Sequence, residues 1–198
     1  MSKYSYTNYD PLGRITQVGE KEVLQTNDIR AINTLDDAAL QRWQNAYVTN
    51  KQVTETIYDT AVDDALQSMG NSRKRVVATI YKSSINSLNN DSTLFAYDVS
   101  GNVKTVVQHI HDLVSMDMDN GKKRIGYDYD LVSGKVNKVY YQPGKGDQFF
   151  YKYLYDADNR IIEAQSSRDN LIWNTDASYT YYLHGPLART ELGQYKVQ

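Results

Sequence analysis

The chain holds 198 residues with 22 basic and 24 acidic side chains, a formal net charge of −2. This near balance removes any bulk electrostatic reason to bind nucleic acid or another polyanion. It contains no cysteine, which excludes a disulfide scaffold and thiolate chemistry and leaves the compartment open. No apolar run approaches the roughly 20 residues that cross a bilayer as a helix.

The length fits one domain, residues 1–198. Met1 to Tyr6 reads as strand from the outset, without a signal peptide. The first strong signal is Tyr9-Asp10-Pro11-Leu12-Gly13-Arg14-Ile15. Asp at the first turn position, Pro at the second and Gly at the fourth are the preferences of a type I turn. The carboxylate is placed to accept backbone N–H groups two or three residues on, and Gly13 takes a positive φ without penalty. The pattern predicts a hairpin turn with a bulge.

Residues 19–57 interrupt this pattern. Thr34-Leu35-Asp36-Asp37 resembles a capping box with Thr34 as N-cap. Leu35, Ala39, Trp43, Ala46 and Tyr47 follow at helical spacing, so a helix over 35–47 is expected against the sheet, with Trp43 packing rather than presenting a ligand platform. Tyr58-Asp59 opens another copy, but Thr60-Ala61-Val62-Asp63 lacks the glycine, and the unit reads as degenerate. A loop is expected over 60–75, and strand returns at Val76-Val77-Ala78-Thr79-Ile80-Tyr81.

The motif recurs in clearer form at Tyr97-Asp98-Val99-Ser100-Gly101-Asn102-Val103. His109 and His111, two apart, would share one strand face and could grip a zinc ion, but no third ligand is evident and zinc needs three or four. Asn120-Gly121 marks a tight hairpin turn. Asp117-Met118-Asp119-Asn120-Gly121 fails the alternation of a calcium loop and lacks its closing glutamate.

The third copy, Tyr129-Asp130-Leu131-Val132-Ser133-Gly134-Lys135-Val136, carries one extra residue and should turn more loosely. The fourth is Tyr155-Asp156-Ala157-Asp158-Asn159-Arg160-Ile161, in which Asn159 substitutes for glycine as the next-best residue for positive φ. Phe149, Tyr151, Tyr153 and Tyr155 alternate with Phe150, Lys152 and Leu154, the period of a strand. A further unit is expected at Tyr182-Leu183-His184-Gly185-Pro186-Leu187-Ala188-Arg189, its Asp replaced. Motif tyrosines 129, 155 and 182 lie 26 and 27 residues apart, room for two strands and two turns. The best-formed repeats therefore run over 93–192. The fold class expected is mainly β: an antiparallel array of β-hairpin repeats with one short helix.

Catalytic signatures are scarce. There is no nucleotide-binding glycine loop and no nucleophile elbow. A chain with 24 carboxylates holds pairs at glycosidase separations by accident. Asp10, Asp98, Asp130 and Asp156 are committed to turns, where several hydrogen bonds keep a carboxylate ionised and make it a poor general acid. No enzyme activity, cofactor or metal is expected.

The pattern Y-D-x-x-G-[RN]-[IV] resembles the YD repeat of the Rhs family, shared with the C components of insecticidal Tc toxins and with teneurins. The residues that carry the likeness are Tyr9, Asp10, Gly13, Arg14 and Ile15; Tyr97, Asp98, Gly101, Asn102 and Val103; and Tyr155, Asp156, Asn159, Arg160 and Ile161. The stretch His184-Gly185-Pro186-Leu187-Ala188-Arg189-Thr190-Glu191-Leu192-Gly193 is similar to one in large Rhs proteins of Bacteroidetes. The resemblance implies a long antiparallel sheet spiralling into a shell around a C-terminal toxin, in a secreted or cell-surface protein of which this chain is a segment.

Two functions follow as expectations. The first is a structural wall whose partners are the rest of the same polypeptide and a toxin passenger. The second is a glycan- or receptor-binding module that presents Tyr151, Tyr153 and Tyr155, since tyrosine offers an apolar ring and a hydroxyl that tolerates water. Edge strands left without caps are expected to favour self-association.

Overall fold

The computed structural model describes residues 2–23, 35–45, 49–60, 71–116 and 119–193. Within them lie β1 (Ser2–Tyr9), β2 (Ile15–Val23), α1 (Asp37–Asn45), β3 (Thr49–Tyr58), β4 (Val76–Ser84), β5 (Asn90–Tyr97), β6 (Val103–His109), β7 (Lys122–Tyr129), β8 (Val136–Tyr141), β9 (Phe149–Tyr155), β10 (Ile161–Ser167), β11 (Asn174–Tyr181) and β12 (Leu187–Leu192). Hydrogen-bonded order follows chain order from β1 to β12 in one antiparallel sheet, as expected of hairpins laid side by side. The chain divides into two compact units, Met1–Ala96 with Gln108–Lys122 and Tyr97–Val107 with Lys123–Gln198.

In the first unit Tyr4 stands opposite Lys21 and Tyr6 opposite Gly19 across β1 and β2. A Cβ on Gly19 would come within 2.8 Å of the Tyr6 ring, so the glycine inside this strand serves close approach. Ala78 of β4 faces Ile57 on one side and Leu94 on the other. Ala78, Leu94, Val53, Val77 and Ala96 are buried.

The helix begins later than expected. It spans Asp37–Asn45, and its cap is Asp36, whose carboxylate accepts the Ala38 and Ala39 N–H groups at 3.0 and 3.1 Å. Thr34, the expected cap, lies outside the described residues, as do Ala46 and Tyr47. Asp36 caps because an aspartate just ahead of the first turn reaches those two N–H groups directly. Leu35 precedes the helix and is 93 % exposed, so it is not part of the packed stripe. Trp43 is, being buried and edge-on to Tyr4 at 5.7 Å. The Lys21 ammonium lies 4.9 Å from the centre of the Tyr6 ring and 5.7 Å from that of Trp43. Its burial pushes the amine below the usual lysine range, and the ring faces offset part of the lost hydration.

The second unit runs through five consecutive antiparallel pairings from β7 to β12. Pleating and register divide its side chains between two faces. One face carries Tyr127, Val139 and Tyr151 in line, then Tyr153, Ala164 and Ala177. The other carries Phe150, which is buried, edge-on to Tyr140 at 6.0 Å. On that face Lys138 and Lys152 are directly opposed, an arrangement that repels. Trp173 answers it, with its ring centre 5.7 and 4.9 Å from the two ammonium nitrogens.

His109 ends β6, and His111 begins a single 3-10 turn over His111–Leu113, so the two imidazoles do not share a strand face. Where the chain leaves the ladder, Asp91 accepts the His111 N–H at 2.8 Å. Asn120 and Gly121 both have positive φ, 53° and 70°, and the Lys122 N–H donates to Asp119 O at 3.1 Å, the primed turn expected there. Residues 117–118 of the rejected calcium loop lie outside the described residues.

Val53 is fully buried, and truncation removes two methyl groups that no solvent replaces. Val53→Ala is expected to cost about 2 kcal/mol, read as a lower urea midpoint at unchanged slope.

Candidate functional site: the tyrosine–aspartate clasps

Each motif folds into the same clasp. At Asp10 one carboxylate oxygen accepts the Leu12 and Arg14 N–H groups, both at 2.9 Å, and the other takes the Arg14 Nε at 2.6 Å. Asp98 does the same with the Asn102 N–H at 2.8 Å and the Asn102 amide nitrogen at 3.0 Å. Asp156 holds the Asp158 and Arg160 N–H groups at 3.0 and 2.9 Å, and the Arg160 Nε at 2.7 Å. Behind each, the aspartate N–H donates to the carbonyl of the arginine or asparagine at 2.9 Å, closing the two strands. Gly13, Gly101 and Asn159 carry φ of 76°, 93° and 62°, the left-handed conformation the bulge requires. Asp130 shows the looser turn expected: its carboxylate takes the Val132 and Ser133 N–H groups, and the backbone closes one residue later, on Lys135 O.

Backbone and side-chain bonds from Arg14 and Arg160 hold the Asp10 and Asp156 carboxyls below their ordinary range, and the Ser133 N–H does so for Asp130. At Asp98 burial pushes upward, but the combined bonds from Asn102, Gly101 and Ser100 prevail and the net direction is down.

The clasps are joined to one another by tyrosine. The Tyr58 hydroxyl donates to Ile15 O at 2.9 Å, Tyr129 to Val103 O at 2.8 Å, Tyr155 to Val136 O at 2.7 Å and Tyr181 to Ile161 O at 2.8 Å. In every case the donor is the tyrosine that opens one motif. The acceptor is the β-branched residue that closes the motif before it. Where arginine follows the turn, its guanidinium also lies under the next tyrosine ring, 4.3 Å for Arg14 and Tyr58 and 4.8 Å for Arg160 and Tyr181. The motif Y-D-x-x-G-R-[IV] thus encodes a turn and a lock between hairpins. Sequence reading found the turn but missed the lock, because donor and acceptor belong to different copies.

Two units differ from expectation. The motif tyrosine of the last copy is Tyr181, which makes the interhairpin bond. Tyr182 stands where the aspartate would be, its N–H donating to Pro186 O at 2.9 Å and its carbonyl accepting the Gly185 N–H at 2.9 Å. The offset from Tyr155 is then 26 residues, equal to that between Tyr129 and Tyr155. The unit at Tyr58-Asp59 is not degenerate but opened by an insertion. Its Asp59 N–H donates to Arg75 O at 3.1 Å, the same closure, while Lys74 takes the glycine position at φ 62°. Arg14 bridges from Asp10 to Asp59 with Nη2 at 2.8 Å.

The three tyrosines expected to face a ligand have separate environments. Tyr155 spends its hydroxyl on Val136 and is half-buried. Tyr153 is half-buried among Tyr151, Tyr179 and Tyr127, and burial raises its phenol above the ordinary value. Tyr151 is 40 % exposed. Among the described residues no three His, Cys, Asp or Glu side chains converge as a metal set, and no helix is long and apolar enough to cross a membrane.

No protein-family model and no curated protein matches the chain. Among solved structures it is similar to TcdB2-TccC3 crystallised without its hypervariable C-terminal region, with a TM-score of 0.60 and 12 % identity over 96 % of this chain. The likeness is one of fold, and the chain spans 8 % of that protein's length. A protein of unknown function from Bacteroides fragilis aligns over 96 % of this chain and 91 % of its own at 8 % identity, with a TM-score of 0.17, too low to carry an argument.

Asp98→Ala is expected to cost about 1 kcal/mol, the usual loss for a cap, and Tyr155→Phe about 1 kcal/mol for the hydroxyl bond. Thermal melts against the parent chain measure both. The clasp carboxyls titrate lower when folded than when unfolded, so in acid the unfolded chain binds more protons. Their stabilisation is complete above the ordinary carboxylate range, near pH 4, and is lost as pH falls below it. Urea midpoints from pH 7 to pH 3 should drop only at the acid end, and less steeply in Asp98→Asn.

Proposed function

We propose that this chain is a wall-forming repeat segment of an Rhs-like protein, a non-catalytic stretch of β-shell that encloses or presents a C-terminal passenger toxin. The observation that carries the reading is the lock between hairpins. Tyrosine hydroxyls and aspartate carboxylates, the groups best suited to bind or react, are spent on holding each hairpin to the next. A fold built this way adds hairpins without limit and gains surface rather than a pocket. The likeness to TcdB2-TccC3, a protein whose hypervariable C-terminal region was absent from the crystal, supports a conserved wall followed by a variable passenger. That architecture would place the protein outside the cell or at its surface.

A second reading, a glycan-binding module, is favoured by Tyr151, which is 40 % exposed on the same face as Tyr127 and Tyr153. The ring offers a stacking platform of the kind sugars use.

The test uses the complete polypeptide encoded by the gene. Under limited proteolysis its C-terminal region should resist cleavage, and Asp98→Ala combined with Asp156→Ala should expose it. Equal cleavage of the passenger with and without the intervening repeats would reject the wall. Retention on a glycan array that Tyr151→Ala abolishes would favour the module.

A further inference from the structure

Tyr81 and Asp91 lie outside every motif turn and are not spent as the motif residues are. They stand directly opposite one another across β4 and β5, and Thr54 of β3 faces Tyr81 from the other side. Opposed residues of a pleated sheet point the same way, so the three side chains share one face in line. Thr79 and Thr93, also directly opposed, form the next row on that face. With His109 these residues line an open groove of about 370 Å³, all of it within the first unit. That volume falls within the range of small-ligand sites.

Tyr81 is 44 % exposed, and its hydroxyl has no partner among the described residues. One oxygen of Asp91 accepts the His111 N–H at 2.8 Å, which fixes the carboxylate. The other oxygen has no partner among the described residues. Among those residues no lysine or arginine lines the groove, so its formal charge is negative and an anionic ligand would be repelled.

The chain itself shows what an aspartate and a tyrosine ring hold between them. The Arg14 Nε lies 2.6 Å from Asp10, with the guanidinium 4.3 Å from the Tyr58 ring centre. Arg160 lies 2.7 Å from Asp156 and 4.8 Å from the Tyr181 ring centre. In both places a planar cation meets a carboxylate at its edge and a ring at its face. Asp91 and Tyr81 repeat the pair, and no side chain among the described residues supplies the cation.

We propose that this groove binds a guanidinium-bearing ligand, its plane stacked on the Tyr81 ring and its N–H groups donating to the free oxygen of Asp91. A guanidinium is planar and more weakly hydrated than an ammonium, so it stacks on the ring and gives up less on leaving water. The hydroxyls of Thr79 and Thr93 are acceptors for its remaining N–H groups. A free guanidine and an arginine side chain offer the same chemistry, and the test separates them. The inference stands whether or not the sheet encloses a passenger.

The probe is methylguanidinium, titrated into the chain and followed by amide NMR. Shifts should centre on Tyr81, Asp91 and His111 and leave the clasp at Asp156 unmoved. Asp91→Asn keeps an acceptor for the His111 N–H and should weaken binding about tenfold, the difference between a charge-assisted and a neutral bond. Tyr81→Leu should weaken it about threefold, while Tyr81→Phe, which keeps the ring, should bind like the parent. Methylammonium should bind less tightly than methylguanidinium. A blocked Gly-Arg-Gly peptide that binds more tightly than methylguanidinium would assign the natural cation to an arginine side chain, and one that binds no more tightly to a free guanidine. Circular dichroism verifies that each variant keeps its strands. Absence of saturable shifts at Tyr81 and Asp91 would overturn the proposal, as would binding unchanged in Asp91→Asn. Maltose binding there in preference to methylguanidinium would overturn it too, and assign the groove to neutral sugars.

Discussion

The interaction on which the fold depends is the hydrogen bond from each motif tyrosine to the carbonyl that ends the preceding turn. An isolated two-stranded hairpin is marginal in water, and the clasp within a motif only shapes its own turn. It is the tyrosine, reaching across to the neighbouring hairpin, that makes one turn a condition of the next. The bond is worth about 1 kcal/mol at each junction, and where Arg14 or Arg160 lies under the ring the stacked cation adds about half as much. Small increments repeated at every junction suit a sheet whose fully buried side chains are few.

This arrangement explains the composition. Eighteen tyrosines would be costly in a dry core, where every hydroxyl needs a partner. In the sheet Tyr58, Tyr129, Tyr155 and Tyr181 sit half-buried, each with its hydroxyl on a carbonyl of the preceding hairpin. The aspartates are spent in the same way. The carboxylate accepts N–H groups that a bulged turn leaves unpaired, and the following Arg or Asn takes its second oxygen. The positions that are most regular along the chain are therefore the least available for chemistry.

Departures from the pattern show which parts of the motif are essential. Tyr182 in place of aspartate keeps the backbone closure through Pro186 and Gly185, so the carboxylate strengthens a turn that the glycine and the strands already permit. The insertion after Asp59 shows that turn length is free provided a residue of positive φ, here Lys74, precedes the closing arginine. The opening tyrosine survives in both units, Tyr58 bonded to Ile15 O and Tyr181 to Ile161 O, because that bond joins hairpins that neither turn could join alone.

The sequence by itself determined the turns, the repeat and the strands flanking its clear copies, whereas β3 (Thr49–Tyr58) and the end of β2 fall in the 19–57 stretch it took for an interruption. What it determined rests on local chemistry: alternation with a period of two, aspartate near the N–H groups two or three residues on, glycine or asparagine at positive φ. The bond to the N–H four residues on came only from the structure. The sequence placed Trp43 in the packing of a helix, but misplaced that helix's cap, because the capping-box spacing of Thr34 and Asp37 drew the assignment away from Asp36, the better cap by residue type. It chose Tyr182 over Tyr181 for the last motif, because adjacent tyrosines look alike until one of them is seen to reach Ile161. It could not reveal that Tyr58-Asp59 closes on Arg75 across an insertion, nor that Trp173 settles two opposed lysines. Those pairings were decided only by tertiary structure, since each joins residues from segments whose separation in the chain carries no information about their distance in space.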